Sequence, residues 1–200
     1  MQETAEEKAW SIVEPDDLWV LDKLILSKKL GYTCGPVGID VPTPGEYIVR
    51  PCVNPIGLGL GAQKIYIEKS TDTLPIGHFW CEFFHGRHLS VDYQFGEQKL
   101  CVEGLKDSDT FTHWNSWIKV DDKIPLPKIL EHISKRYEWI NCEFIDGKLI
   151  EVHLRHNQDF EGDITYFIPV WSHERAKHIP LGYTYREYPD LHGRVGAFVK

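Results

Sequence analysis

Four residues in the stretch WINCEFIDGKLIEVHLRHNQDF, 139–160, carry side chains suited to chemistry: Glu143, Glu151, His153 and Arg155. They stand among strongly apolar neighbours in a segment patterned as a buried hairpin. Taking Ile145-Asp146-Gly147 as a three-residue loop, with glycine in the left-handed position, sets Cys142 opposite Ile150. Strand alternation then sends Cys142, Phe144, Ile150, Val152 and Leu154 to one face, and Asn141, Glu143, Glu151, His153 and Arg155 to the other. A two-residue loop would flip the parity and leave Glu143 on the core side, so the pattern selects the longer loop.

Two carboxylates crowded on one face repel by about 1 kcal/mol at about 4 Å in water, and by about 4 kcal/mol at an effective dielectric of about 20. A cation must compensate, either Arg155 or a bound metal. Glu143, Glu151 and Asn141 offer the oxygen ligands that Mg²⁺ takes from protein before completing its shell with water and phosphates. His153 would also admit Mn²⁺. The plain alternative is a solvated sheet face with an ordinary Glu–Arg pair.

Upstream, the loop Asn54-Pro55-Ile56-Gly57-Leu58-Gly59-Leu60-Gly61 lies between the strand-like runs EYIVRP and KIYIEKS. It lacks the Gly-Lys-Ser/Thr ending of a P-loop and is followed by a strand, so neither a Walker nor a Rossmann reading holds. What remains is a glycine-rich flap that can lay backbone N–H groups over phosphates, or simply a mobile turn. Arg50, on the strand before it, adds a charge that can grip phosphate oxygens. In FWCEFFHGRHLSVDY a similar turn at His85-Gly86-Arg87 would join two strands and set Trp80, Glu82, Phe84, His88, Ser90 and Asp92 on one face. Aromatic rings beside Glu82 suit a flat ligand, or core packing.

Positioning these groups requires elements that the rest of the chain supplies. Residues 1–15 are polar and read as a loosely held lead-in. From Asp16, the spacing of Leu18, Trp19, Leu21, Leu24, Ile25 and Leu30 predicts a helix capped by Asp16 or Asp17 and stopped by Gly31. PKILEHISKRYEW reads as a second helix with Pro127 at its start. Short strands and turn signals in between predict an α+β fold of mostly antiparallel sheet with covering helices, a module over 16–168 and a tail over 169–200 packed on it.

The 200 residues are 42% hydrophobic and suffice for a real core. A formal charge of −8 without any Lys/Arg block argues against general nucleic-acid binding. No apolar run approaches a membrane span and the acidic N-terminus is unlike a signal peptide, so the expected location is the cytoplasm. Five cysteines without a CxxC pair read as reduced thiols rather than a disulfide or zinc framework.

In order, these pieces resemble the ATP-grasp module, the nucleotide-binding unit of carboxylate-amine ligases, from about Asp17 to Asn157. YIVRPCVNPIGLGLGA is similar to that family's basic strand and flexible glycine loop, WCEFFHGRHLSVD to its hinge strand pair, and NCEFIDGKLIEVHLR to its closing hairpin. The resemblance implies two small lobes with a nucleotide cleft between them. It implies that Lys23, Arg50, Gly57, Gly59 and Gly61 handle the phosphates of ATP, and that Glu82, Phe83 and Phe84 meet adenine. His88 stands where an acid touching ribose is expected. Glu143 and Glu151 would carry magnesium, with His153 in the place of an asparagine ligand, and Arg155 would lie near the γ-phosphate or acyl phosphate.

The implied reaction is ATP- and Mg²⁺-dependent activation of a small-molecule or peptide carboxylate as an acyl phosphate, followed by attack of an amine. With few residues before the first helix, the acceptor site would come from the tail, a homo-oligomer or a partner protein. The histidines at 88 and 153 favour an alternative, a non-catalytic nucleotide-binding or interaction module. A metal-dependent hydrolase using Glu143 and Glu151 ranks third, because it leaves the flap and Arg50 without a role.

Overall fold

Period-two alternation dominates the chain, and the strands it produces close into two antiparallel sheets. The computed structural model describes residues 5–53, 59–106, 111, 114–191 and 193–200. Helix α1 (Ala5–Ile12), a 3-10 turn at Pro15–Val20 and helix α2 (Lys23–Lys29) come first. Strands β1 (Cys34–Pro36), β2 (Gly45–Pro51), β3 (Gln63–Ile67) and β4 (His78–Glu82) form a four-stranded sheet in the order β1-β4-β2-β3. The larger sheet takes β5 (His88–Gln94), β6 (Glu97–Leu105), β7 (Ser116–Lys119), β8 (Trp139–Ile145), β9 (Lys148–His153), β10 (Tyr166–Val170), β11 (Thr184–Leu191) and β12 (Arg194–Val199). Its order is β11-β12-β10-β7-β6-β5-β8-β9, and helix α3 (His173–Ala176) joins β10 to β11.

Each sheet has its own core. In the small one, Tyr47, Val49, Ile67 and Trp80 pack with Val41 on one face. In the large one, Leu89, Val91, Tyr93, Cys142, Phe144, Leu149 and Val152 meet Leu130, Ile133 and Tyr137 and the N-terminal residues Ala9, Val20, Leu21 and Leu26. Full burial of a side chain such as Leu26 or Leu130 contributes roughly 1.5–3 kcal/mol. The sheets meet at β9, the edge strand of the large sheet. There the Arg50 Nη2 donates to the Ile150 carbonyl at 2.9 Å, while at the start of α2 the Lys23 amide donates to the Cys52 carbonyl, just after β2, at 2.8 Å.

The β8–β9 hairpin reaches the expected faces by a different route. Ile145 pairs with Lys148, so the loop is only Asp146-Gly147, with φ of 47° and 77°. Two central residues of positive φ make the type I′ turn that an Asp-Gly pair favours. A bulge between Glu143 and Phe144 then restores the parity, because Phe144 pairs with Leu149 while Glu143 pairs with Glu151. Leu149, not Ile150, therefore joins Cys142, Phe144, Val152 and Leu154 in the core. The bulged residue Ile150 is the one whose carbonyl receives Arg50.

Four other expectations change. Residues 5–12 form α1, with Ala9 2% exposed, where a loose lead-in was expected. The helix expected from Asp16 to Leu30 is split: Asp22 adopts an extended backbone and its side chain caps α2 by accepting from the Ile25 amide at 2.9 Å. Gly31, at φ 77°, ends it as expected. Residues 128–135 form two 3-10 turns, Lys128–Leu130 and Ile133–Lys135, because Leu130, Ile133 and Tyr137 are held by tertiary contacts rather than by helix continuation. Finally, β10 crosses the 168/169 boundary and β10, β12 and β11 extend the large sheet, so the tail is part of it.

Candidate functional site

Glu143 and Glu151 stand directly opposite each other on β8 and β9, as register partners. Their compensation comes from three side chains. The Lys23 Nζ, at the start of α2 and only 5% exposed, lies 2.9 Å from the Glu151 Oε1. The His88 Nε2 lies 3.1 Å from the Glu143 Oε2, and the His153 Nε2 lies 3.4 Å from the Glu151 Oε1. Burial by itself would raise the Glu143 carboxyl, but the His88 hydrogen bond and the charges of His88, His153 and Lys23 hold it well below the usual carboxylate range.

Arg155, expected beside this pair, is engaged elsewhere. Its Nε donates to the Glu6 Oε2 at 2.5 Å, and the His153 Nδ1 lies 3.3 Å from the Glu6 Oε1. The N-terminal helix thus lays a third carboxylate over the hairpin. Both ring nitrogens of His153 face carboxylates, Nδ1 toward Glu6 and Nε2 toward Glu151. No three His, Cys, Asp or Glu side chains among the described residues converge as a metal cage.

The Glu6 carboxyl is raised by burial but lowered further by the His153 hydrogen bond and by the charges of His153 and Arg155, down to about 2 from the ordinary 4.5. A folded value below the unfolded one means stability that is present above about pH 4.5 and lost as the pH falls toward about 2. The shift corresponds to about 3 kcal/mol. Melting temperatures measured from pH 7 to pH 2 should fall less steeply below pH 4.5 in Glu6→Gln than in the parent protein.

Arg50 sits at the seam between the sheets, its guanidinium 5.3 Å from the Phe79 ring, and its Nε is buried without a partner among the described residues. Gly59 and Gly61 have φ of 64° and 78°. A side chain at Gly61 would meet the Pro51 ring at 3.1 Å, so the loop returns close to the end of β2. Gly57 lies outside the described residues.

Strands β4 and β5 belong to different sheets, so the pair expected as a hairpin is the crossing between the two lobes. Trp80 accordingly packs in the small-sheet core, away from Ser90 and Asp92. The Glu82 Oε1 accepts from the Thr33 amide at 2.9 Å. Phe83 lies under the Lys64 ammonium and Phe84 under that of Lys148, each at 4.8 Å. His88 is met edge-on by Trp114 and Trp117, with ring centroids 4.6 and 5.5 Å away. The two tryptophans gave no readable period in the sequence.

Beside the acids, on the same sheet face, lies a buried polar network. The Asn141 Nδ2 donates to the Ser90 Oγ and to the Asp92 Oδ1, both at 2.8 Å, and the Asn157 amide donates to the Asp92 Oδ2 at 3.0 Å. Asp92 therefore ties β5, β8 and the segment two residues beyond Arg155 into one unit. Burial raises its carboxyl despite the Asn157 and Asn141 donors. The alternation of Ser90 and Asp92 in an apolar strand was its signal. Glu6, by contrast, had none, since nothing in AEEKAW announces a contact with residue 155.

No protein-family model and no curated protein matches the sequence. Solved structures do resemble it. An N5-carboxyaminoimidazole synthetase of Staphylococcus aureus, complexed with ADP, superposes at TM-score 0.55 with 12% identity, over 92% of this chain and 68% of that one. A carboxyaminoimidazole ribonucleotide synthase of Aspergillus clavatus, complexed with ATP, gives TM-score 0.53 and 10% identity over 96% and 72%. An ATP-grasp superfamily protein of Archaeoglobus fulgidus gives TM-score 0.43 and 17% identity over 69% of this chain, which spans 46% of its length. The chain has the ATP-grasp fold, an α+β arrangement of two mostly antiparallel sheets.

Proposed function

We propose that this chain binds ATP between its two sheets and transfers the γ-phosphoryl group to a carboxylate, forming an acyl phosphate that an amine then attacks. The observation that carries the reading is the pair of registered carboxylates, Glu143 and Glu151, ringed by Lys23, His88 and His153. Two ionised carboxylates are what Mg²⁺ takes from protein when phosphates and water complete its shell. Glu143 and Glu151 would hold the ion, and its chemistry would be to neutralise charge on the terminal phosphates.

The protein's own groups do the remainder. Arg50, whose buried Nε has no partner among the described residues, would take a phosphate oxygen with the backbone of Gly57, Gly59 and Gly61. Lys23 would move from Glu151 to phosphate as the metal arrives. Glu82, Phe83 and Phe84, at the crossing between the lobes, would flank adenine, and His88 the ribose. Arg155, released from Glu6, would face the acyl phosphate and stabilise the charge that develops there. The amine acceptor site would come from the tail, a second copy of this chain or a partner protein.

A second reading has its own support. Lys23, His88 and His153 already contact both acids, and Glu6 already fills the Arg155 fork. Such a site suits a module that holds a nucleotide without turnover. Hydroxylamine separates the two, because it intercepts an acyl phosphate as a hydroxamate. With ATP, Mg²⁺ and a panel of carboxylates, the ligase reading expects hydroxamate in step with ADP; nucleotide binding without either product would establish the second reading.

A further inference from the structure

Cys34 on β1 and Cys81 on β4 are register partners across an antiparallel pair. The Glu82 amide donates to the Thr33 carbonyl at 2.8 Å, and the Val37 amide to the His78 carbonyl at 3.4 Å. Hydrogen-bonded and non-hydrogen-bonded pairs alternate along such a ladder, so Cys34 and Cys81, one step in from Thr33 and Glu82, form a non-hydrogen-bonded pair. Opposed Cα atoms there lie about 4.5 Å apart with side chains on the same face. That separation is inside the roughly 4.4–6.8 Å range a disulfide spans.

No other cysteine pair among the described residues is placed this way by the ladders. Cys101 and Cys142 both oppose Val91, one from each side. They are two strand spacings apart, about 9–10 Å, beyond the reach of a disulfide. Cys34 is partly exposed and can meet a reagent, whereas Cys81 is 1% exposed and can meet only Cys34. Ser27 of α2 hydrogen-bonds the Cys81 thiol, so the pair adjoins the helix that begins with Lys23.

We propose that Cys34 and Cys81 form a reversible cross-strand disulfide, which makes the edge of the small sheet a modification site for low-molecular-weight disulfides such as oxidised glutathione. The Cys34 thiolate attacks one sulfur of the reagent; the reagent S–S bond breaks, a mixed disulfide forms and one thiol leaves. Cys81 then loses its proton, its sulfur displaces the second half of the reagent, and the Cys34–Cys81 bond closes. Two cysteine thiols are oxidised by two electrons and one disulfide is reduced to two thiols. Burial raises both cysteine thiols, which slows the exchange at neutral pH and makes it faster as the pH rises. Closure changes the sulfur that Ser27 faces from a thiol to a disulfide, so the state of the pair is felt by α2.

The test is incubation of the native full chain with oxidised glutathione at about pH 8.5, a pH near which more of each thiol is ionised, followed by intact-mass and peptide mapping. The proposal expects a mass lower by two hydrogens, a cross-linked Cys34–Cys81 peptide, reversal by dithiothreitol and a melting temperature raised by several degrees. Cys34→Ser should leave the fold intact and abolish the cross-link, and Cys101→Ser should leave it unchanged. A protein that stops at the Cys34 mixed disulfide, cross-links through other cysteines or does not react would overturn the proposal.

Discussion

Glu151→Gln is expected to lower ATP turnover by at least about 10²–10³-fold, the scale on which single preorganised electrostatic groups act in a transition state. Glutamine keeps the shape and an oxygen near Lys23, 2.9 Å away in the parent protein, but removes the negative charge that the ammonium requires and that the proposed metal would require. Folding should suffer too, because Lys23 is only 5% exposed and loses its counter-charge. The two losses separate in Lys23→Met combined with Glu151→Gln. That double variant should recover much of the melting temperature and none of the turnover, read by ADP release and thermal unfolding side by side. Full turnover in Glu151→Gln would remove the acid pair from the reaction.

The second large effect lies beside the acid pair, on the same sheet face. Asp92→Ala should cost about 2–4 kcal/mol, because it strands the half-buried Asn157 amide and removes one of two acceptors of the buried Asn141 side chain. For a chain of this size that is roughly a 5–15 °C fall in melting temperature, at about 2–4 °C per kcal/mol. Asp92→Asn should cost under about 1 kcal/mol, since a carboxyl already raised by burial gains little from its charge, and the amide oxygen can still accept. Turnover per folded molecule should fall in the alanine variant as Arg155 loses its anchored neighbour. Equal melting temperatures for the two variants would show that the network does not hold the hairpin.

The sequence carried the site's face without its mechanism. Alternation placed Asn141, Glu143, Glu151 and His153 together because a half-buried strand has a period of two. The loop length was misread because a two-residue Asp-Gly turn and a bulge at Glu143/Phe144 cancel each other's parity, and a bulge leaves no local trace in composition. The long helix after Asp16 was over-read for a similar reason. Leu18 and Ile25 keep helical spacing yet are 44% and 41% exposed, while Asp22, three residues before Ile25, is the cap that begins a new helix. Contacts across long separations were not legible at all: Glu6 to Arg155, Lys23 to Glu151 and Arg50 to the Ile150 carbonyl depend on how two sheets meet. Among the described residues no helix is long and apolar enough to cross a membrane, and all five cysteines are free thiols.

Ligand-dependent thermal unfolding tests the central claim most directly. The parent protein and Glu151→Gln would be melted with ATP, ADP or GTP, each with Mg²⁺, Mn²⁺ or EDTA. Ligand at about one hundred times its Kd stabilises by about 2.7 kcal/mol, which is roughly 5–11 °C at this chain length. A shift of that size is expected with ATP and Mg²⁺, lost with EDTA and lost in Glu151→Gln. Unchanged melting with every nucleotide and metal would contradict it, and would mean that the ATP-grasp fold here serves something other than a nucleotide.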